Sequence, residues 1–168
     1  MNSLEIERSL RNEPSTRDIF VGTFADDTLP PTKEFPGAYI ANTQPSNQSG
    51  EHWVAFYCVS DSIECFDSFG ANPAVYSPHI KIWLDDEYKI IQKEVIQSNM
   101  STVCGQYCMF FVLLRCNGFS YQDTLSIFTK NRSVNDRFVC KFINKYFMLH
   151  KSVTDKKFLL DSLKRNGI

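Results

Sequence analysis

The longest apolar stretch of the chain runs from Val103 to Leu114 and meets no charge before Arg115. It predicts a buried helix over Cys104–Cys116, closed by the helix-stopping pair Asn117-Gly118. Residues 52–59 and 63–69 have a different texture. They are short, rich in aromatic and β-branched side chains, and separated by Ser60-Asp61-Ser62, so they predict two paired strands. Both faces of the first are apolar, which requires helices to cover the sheet. Residues 38–42 predict a further strand, followed by a polar loop over 43–50. Residues 89–96 predict a third strand in the sheet of the pair. A loop over 27–36 follows from Pro30, Pro31 and Pro36. Helices are predicted over 3–10, over 74–88, after Ser120 with Asp123 three residues on, over 133–147 from the spacing of Val134, Phe138, Cys140, Phe142, Ile143 and Phe147, and over 154–163. The sum is an α+β fold, a central mixed or antiparallel sheet with helices packed on it.

The chain has 168 residues, 43% of them hydrophobic and 14% aromatic, which suits one ordered domain over residues 1–168 with no repeat, linker or low-complexity tract. No apolar run approaches the length of a membrane span. The first residues lack the basic-then-apolar layout of a signal peptide, so we expect the protein inside a cell or in a particle assembled there. Six cysteines fit that setting as reduced thiols. A structural zinc site is not expected, because there is no Cys-x-x-Cys pair and the three histidines are scattered. Net charge is −1 but unevenly spread: residues 1–129 carry 8 basic and 16 acidic side chains, residues 130–168 carry 10 and 3. A segment of balance +7 can be a solvated helical face or a contact surface for nucleic acid or an acidic partner.

Chemistry concentrates around Cys104. A thiol in the first turn of a helix faces unpaired N–H donors and the positive end of the helix dipole, and both favour thiolate. His52 can supply a base and Asp67 its orienting carboxylate. With an even-length connection between the two strands, cross-strand partners sum to an odd number. His52 and Asp67 do so, and therefore share a face. A turn at Val59-Ser60 would put them directly opposite, and one at Ser60-Asp61 would make them diagonal neighbours. Attack by a thiolate on a carbonyl creates an oxyanion. The Cys104 backbone N–H is one donor for it, and the Gln97 side-chain amide, seven residues upstream, is the natural second. Each residue has a plainer reading: His52 as a satisfied strand histidine, Asp67 as a cap of the Ser68-Phe69-Gly70 turn, Gln97 as a surface side chain, Cys104 as a core cysteine beside Cys108 and Cys116. Trp53 reads as core or as groove lining, and His79 and His150 as surface residues. Four complementary residue types in a workable order favour a cysteine hydrolase.

These segments resemble the adenain family, the adenovirus maturation proteases. The likeness is carried by Gly50-Glu51-His52-Trp53-Val54-Ala55-Phe56, by Phe66-Asp67-Ser68-Phe69-Gly70, and by Gln97 through Cys104-Gly105, together with Phe20-Val21-Gly22-Thr23-Phe24 and Ala38-Tyr39-Ile40-Ala41-Asn42-Thr43. It spans roughly the first two thirds of the chain. The SUMO and ubiquitin-like-protein proteases are related in layout. Their glutamine stands one residue closer to the cysteine, in a Gln-x-Asn-x-x-Asp-Cys-Gly arrangement, whereas here the gap is seven and Val103 replaces the aspartate.

The resemblance implies a papain-like α+β cysteine endopeptidase with Cys104 as nucleophile, His52 as general base and acid, Asp67 as orienting acid and Gln97 as oxyanion donor. Asp67 stands where the adenovirus enzymes carry glutamate. The implied substrates are viral capsid and core precursor proteins, cut at small or glycine-containing sites during particle maturation, in the virion and the host cell interior, above all the nucleus. No metal or organic cofactor is implied, and a monomer is expected. DNA and a short viral peptide stimulate family members. The peptide tether in adenain is a disulfide to a cysteine upstream of the glutamine, and this chain has no cysteine between Trp83 and Gln97. The basic segment 130–168 keeps DNA contact open. The rival readings are a deubiquitinating or deSUMOylating isopeptidase, and an inactive DNA- or capsid-binding homologue.

Overall fold

A computed structural model describes residues 1–84, 89–148 and 152–165. It is an α+β fold in which five strands form one mixed sheet in the order β1-β2-β3-β4-β5. The strands are β1 Phe20–Phe24, β2 Gly37–Asn42, β3 Trp53–Val59, β4 Ser62–Phe66 and β5 Lys89–Ile91. The central pairs, β2 with β3 and β3 with β4, are antiparallel, while β1 on β2 and β5 on β4 are parallel. The helices are α1 Ser3–Asn12, α2 Pro78–Trp83, α3 Cys104–Cys116, α4 Tyr121–Ser126, α5 Arg132–Met148 and α6 Val153–Arg165.

Alternation along the strands sorts the core into two layers. Ala38, Ile40, Ala55, Tyr57 and Phe66 face the layer of α1, α3 and α5. Tyr39, Ala41, Val54, Phe56, Cys58, Ile63 and Cys65 face α2, where Ile80 and Trp83 cover them. Both faces of β3 are therefore apolar, as a sheet covered on both sides requires. α3 is buried from Gly105 through Leu114 except at Gln106, so it is the central helix of the thicker layer. Its far end is tied to β4 by Arg115, which grips the Glu64 carboxylate through Nε and Nη2, the latter at 2.9 Å. α1 starts in a reciprocal cap between Asn2 and Glu5. It also dresses the edge strand: Thr23 N–H donates to Glu7 at 2.7 Å, and Arg11 donates to the Val21 carbonyl at 2.6 Å.

Several expectations need correcting. The helix predicted over 74–88 is a 3-10 turn, Pro73–Val75, followed by the short α2, because Pro78 lacks an N–H and opens a new helix behind the Ser77 cap. Residues 85–88, the rest of that prediction, lie outside the described residues. The strand predicted over 89–96 pairs only along Lys89–Ile91. The strand predicted over 63–69 ends at Phe66, and the one over 52–59 begins at Trp53. The segment 20–24 is a strand that the hydropathy pattern alone did not announce. The helices at 3–10, 133–147 and 154–163 are present with ends shifted by one or two residues, and Ser120 caps α4 with Asp123 as its partner. All six cysteines are unbridged.

Candidate functional site

The site is assembled where β3 begins and β4 ends. The register Val59↔Ser62 and Ala55↔Phe66 leaves Ser60-Asp61 as the connecting pair, the diagonal alternative read from the sequence. Continued outward, that register puts His52 one step past β3 and Asp67 one step past β4, on one face. His52 Nε2 lies 2.7 Å from Asp67 Oδ1. A carboxylate only accepts, so Nε2 carries hydrogen and Nδ1 is the nitrogen left for another partner.

Asp67 is held as a buried hub. Its Oδ1 also accepts from Phe69 N–H at 2.9 Å, and its Oδ2 accepts from Ala71 N–H at 3.0 Å and from the Tyr76 hydroxyl at 2.8 Å. The Asp67 side chain has no solvent exposure. Burial pushes its carboxyl up, but the bonds from His52, Phe69 and Tyr76 outweigh it and leave the group below the ordinary carboxylate range. The turn that aims these donors closes with Gly70 N–H on the Asp67 carbonyl at 2.8 Å and needs Gly70 at φ +70°. Asp67 is thus both turn cap and histidine partner. The imidazole packs between Phe69 and Tyr76, with ring centroids 5.0 and 5.3 Å away.

α3 delivers the thiol. Val103 gives the helix no side-chain cap, so its first N–H groups remain for other acceptors. Three neighbours favour the charged form of the Cys104 sulfur: the His52 imidazole and the backbone N–H groups of Trp53 and Gly105. Burial works against its thiolate, yet the imidazole and the two N–H donors overcome this and lower the pKa. For His52, burial favours the neutral ring, but Asp67 and Cys104 together raise it to about 9. Four other thiols go the opposite way: burial pushes Cys65 and Cys116 up to about 12 and also raises Cys108 and Cys140. Cys104 is 7% exposed, whereas Cys108, one turn on, is 1% exposed. The helix mouth is walled by Met1, Ile6 and Trp53 around Gly105.

Gln97 is fully buried and outside this chain of bonds. It is placed through the residue after Asp67. Ser68 Oγ donates to Gln97 Oε1 at 2.6 Å, and the Ser68 carbonyl accepts from Gln97 N–H at 3.1 Å. Gln97 Nε2 donates to the Ser101 carbonyl at 2.9 Å, within the loop that returns to α3. The amide has a second hydrogen for a further acceptor. The surface-glutamine reading of Gln97 is therefore wrong.

At Trp53, the neighbour of His52, opens a cleft of about 550 Å³ lined also by Asn42, Gln44, Gln48, Gly50 and the first residues of the chain, while Cys104, His52, Asp67 and Gln97 do not line it. Gly50 sits so close to Asn42 that a Cβ there would fall 2.2 Å from its Nδ2. Trp53, half-buried, thus lines the groove as well as packing on α3. Sequence reasoning missed Tyr76, which was assigned to a continuous helix, and gave Ser68 only the turn. The signal for Ser68 was its place directly after Asp67.

His79 is half-exposed, 3.5 Å from Asp26, and away from this site, while His150 lies outside the described residues. Of the basic C-terminal segment, Lys156 is buried against Glu13 and Tyr146 and cannot be a contact cation. Arg137, Lys141 and Lys145 are exposed at four-residue spacing along α5. Among the described residues no group of three or more His, Cys, Asp or Glu is placed to hold a metal ion, and no helix is long and apolar enough to cross a membrane. No family model matches the chain, and no similar protein is found among the curated ones.

Proposed function

We propose that the chain is a cysteine endopeptidase of adenain type, with a papain-like arrangement of its α+β fold, that cuts virion precursor proteins at small or glycine-containing sites during particle maturation. One observation carries the reading. His52 is held 2.7 Å from the buried Asp67 carboxylate, and it acts on the Cys104 thiol, which is pushed down while Cys65, Cys108, Cys116 and Cys140 are pushed up.

In this mechanism the Cys104 thiolate, paired with the His52 imidazolium, attacks the carbonyl carbon of the scissile peptide and pushes its π electrons onto oxygen. The Cys104 backbone N–H and the Gln97 amide donate to that oxyanion. As the tetrahedral species collapses, the C–N bond breaks and His52 gives its proton to the departing amine, leaving a thioester. His52 then takes a proton from water, whose oxygen attacks the thioester, and returns that proton to the sulfur as it leaves. Asp67 keeps the imidazole in one tautomer and orientation throughout. The cleft beside Trp53, lined by amides, suits an extended backbone with small side chains.

The test is turnover of an internally quenched peptide with a Gly-Gly bond by the full chain and by its Cys104→Ala variant. Cleavage by the wild type and none by the variant is expected. Equal rates would remove Cys104 from the chemistry. Exclusive turnover of ubiquitin-like fusions in a parallel assay would shift the reading to an isopeptidase.

A further inference from the structure

We infer that Ser68 is a positioning residue, one that sets the side-chain amide of Gln97 for the oxyanion. This rests on the thiol-protease reading above. The hydrogen-bond network leaves one assignment. The Ser101 carbonyl can only accept, so the Gln97 atom 2.9 Å from it is the amide nitrogen. The other amide atom is then Oε1, which also only accepts, so the hydroxyl 2.6 Å away must donate. Ser68 and Gln97 are 1% and 0% exposed, so the bond between them is a buried one.

The terminal torsion of a glutamine is broad and roughly two-fold, so the covalent geometry of Gln97 does not fix its amide plane. Two anchors at opposite ends of the amide do. Ser101 takes one N–H, Ser68 holds the oxygen, and the second N–H is left in a defined direction. Donation into Oε1 also polarises the amide and makes that N–H a better donor. The Ser68 backbone carbonyl separately accepts from Ile96 and Gln97 N–H at 3.0 and 3.1 Å. Removing the hydroxyl therefore leaves the backbone link in place and strips only the amide's anchor. Neighbouring residues of one turn thus serve the two halves of the site: Asp67 orients the imidazole and Ser68 orients the oxyanion donor.

The experiment compares wild type, Ser68→Ala and Ser68→Cys, a near-isosteric change to a weak donor, each with Gln97 intact and with Gln97→Ala. The readouts are kcat and KM on the quenched Gly-Gly peptide and the rate of Cys104 alkylation by iodoacetamide. With Gln97 present, both variants should lose about tenfold in kcat, from one stranded buried acceptor, with KM within about twofold. Alkylation should be unchanged, because the thiol and imidazole are untouched. With Gln97→Ala, the Ser68 substitutions should cost nothing further. Unchanged kcat in folded variants overturns the inference. So does the same loss in both backgrounds, or unfolding of both variants, since each assigns the hydroxyl to the fold alone. A wild type that does not cleave, or one matched by Cys104→Ala, defeats the protease reading instead.

Discussion

His52 and Asp67 touch at 2.7 Å although neither lies within a strand. Each is the first residue beyond its ladder, and the two-residue turn between β3 and β4 fixes their diagonal approach. Because Asp67 accepts three further bonds from its own loop and from Tyr76, it cannot swing away from the ring. Asp67→Asn keeps the size but presents an amide where a carboxylate accepted, and so disfavours the productive tautomer. A kcat loss on the order of 10²–10⁴ is expected. Tyr76→Phe removes one bond of the four and should cost less than tenfold. Steady-state kinetics on the quenched peptide decide both, and a near-normal Asp67→Asn would refute the orienting role.

The pairing of Cys104 with His52 fixes the shape of a pH profile. The thiol is lowered from its ordinary value, so thiolate persists to lower pH than for a free cysteine. The imidazole is raised to about 9, so imidazolium survives up to that region. Activity should therefore climb on an acid limb set by the thiol, below the usual thiol range, and decline near pH 9 as His52 loses its proton. Alkylation of Cys104 by iodoacetamide should follow the same acid limb. In His52→Ala the sulfur keeps its burial and loses its counter-charge, so that limb should move to higher pH. An unmoved limb would mean that the imidazole does not set the thiol.

How far the letters carried this reading depends on the range of each interaction. The α3 helix and the β3–β4 pair were legible because their patterns are local: an uncharged run ended by Asn117-Gly118, and two apolar runs around a polar turn. The odd sum of His52 and Asp67 was arithmetic on a hairpin. The failures share a cause. Pro78 split a helix that composition alone supported, since a missing N–H outweighs apolar content at one position. Tyr76 closes the 3-10 turn ahead of that break and reaches back nine residues to Asp67, and nothing in its neighbours' identity points there. The β1 strand is short and pairs in parallel with a segment more than a dozen residues away, so no hairpin signal marks it. Lys156 sits in the basic segment by count but is buried by a contact with Glu13, far off in sequence.

The turn after β4 offers a test of how backbone supports the site. Gly70 adopts φ +70°, and a Cβ there would lie 2.8 Å from the backbone of Lys93 and Glu94. Gly70→Ala must relieve both the positive φ and the clash, and the relief moves the loop that gives Asp67 its Phe69 and Ala71 N–H bonds. A stability loss of about 1–3 kcal/mol is expected from the strain. A fall in kcat should accompany it, with KM less affected. Urea titration and peptide kinetics on the same preparation check both, and unaltered stability would mean that the turn tolerates a side chain.

The charge partition of the chain, −8 over residues 1–129 and +7 over 130–168, becomes geometric on α5. Arg137, Lys141 and Lys145 recur every fourth residue, and all three are exposed. A row of cations at that spacing extends over two helical turns and can meet successive phosphates of a duplex. Binding through it would be sequence-independent and steeply salt-dependent, with about 0.9 in the slope of log K against log salt for each phosphate neutralised. Replacing all three by alanine should therefore lower that slope by about 2–3, measured by fluorescence anisotropy of a labelled 20-base-pair duplex across a sodium chloride series. Cys104-dependent turnover measured without DNA should stay unchanged, since none of the three residues belongs to the site. A slope equal to that of the wild type would detach α5 from any nucleic-acid contact and leave its cations as a solvated face.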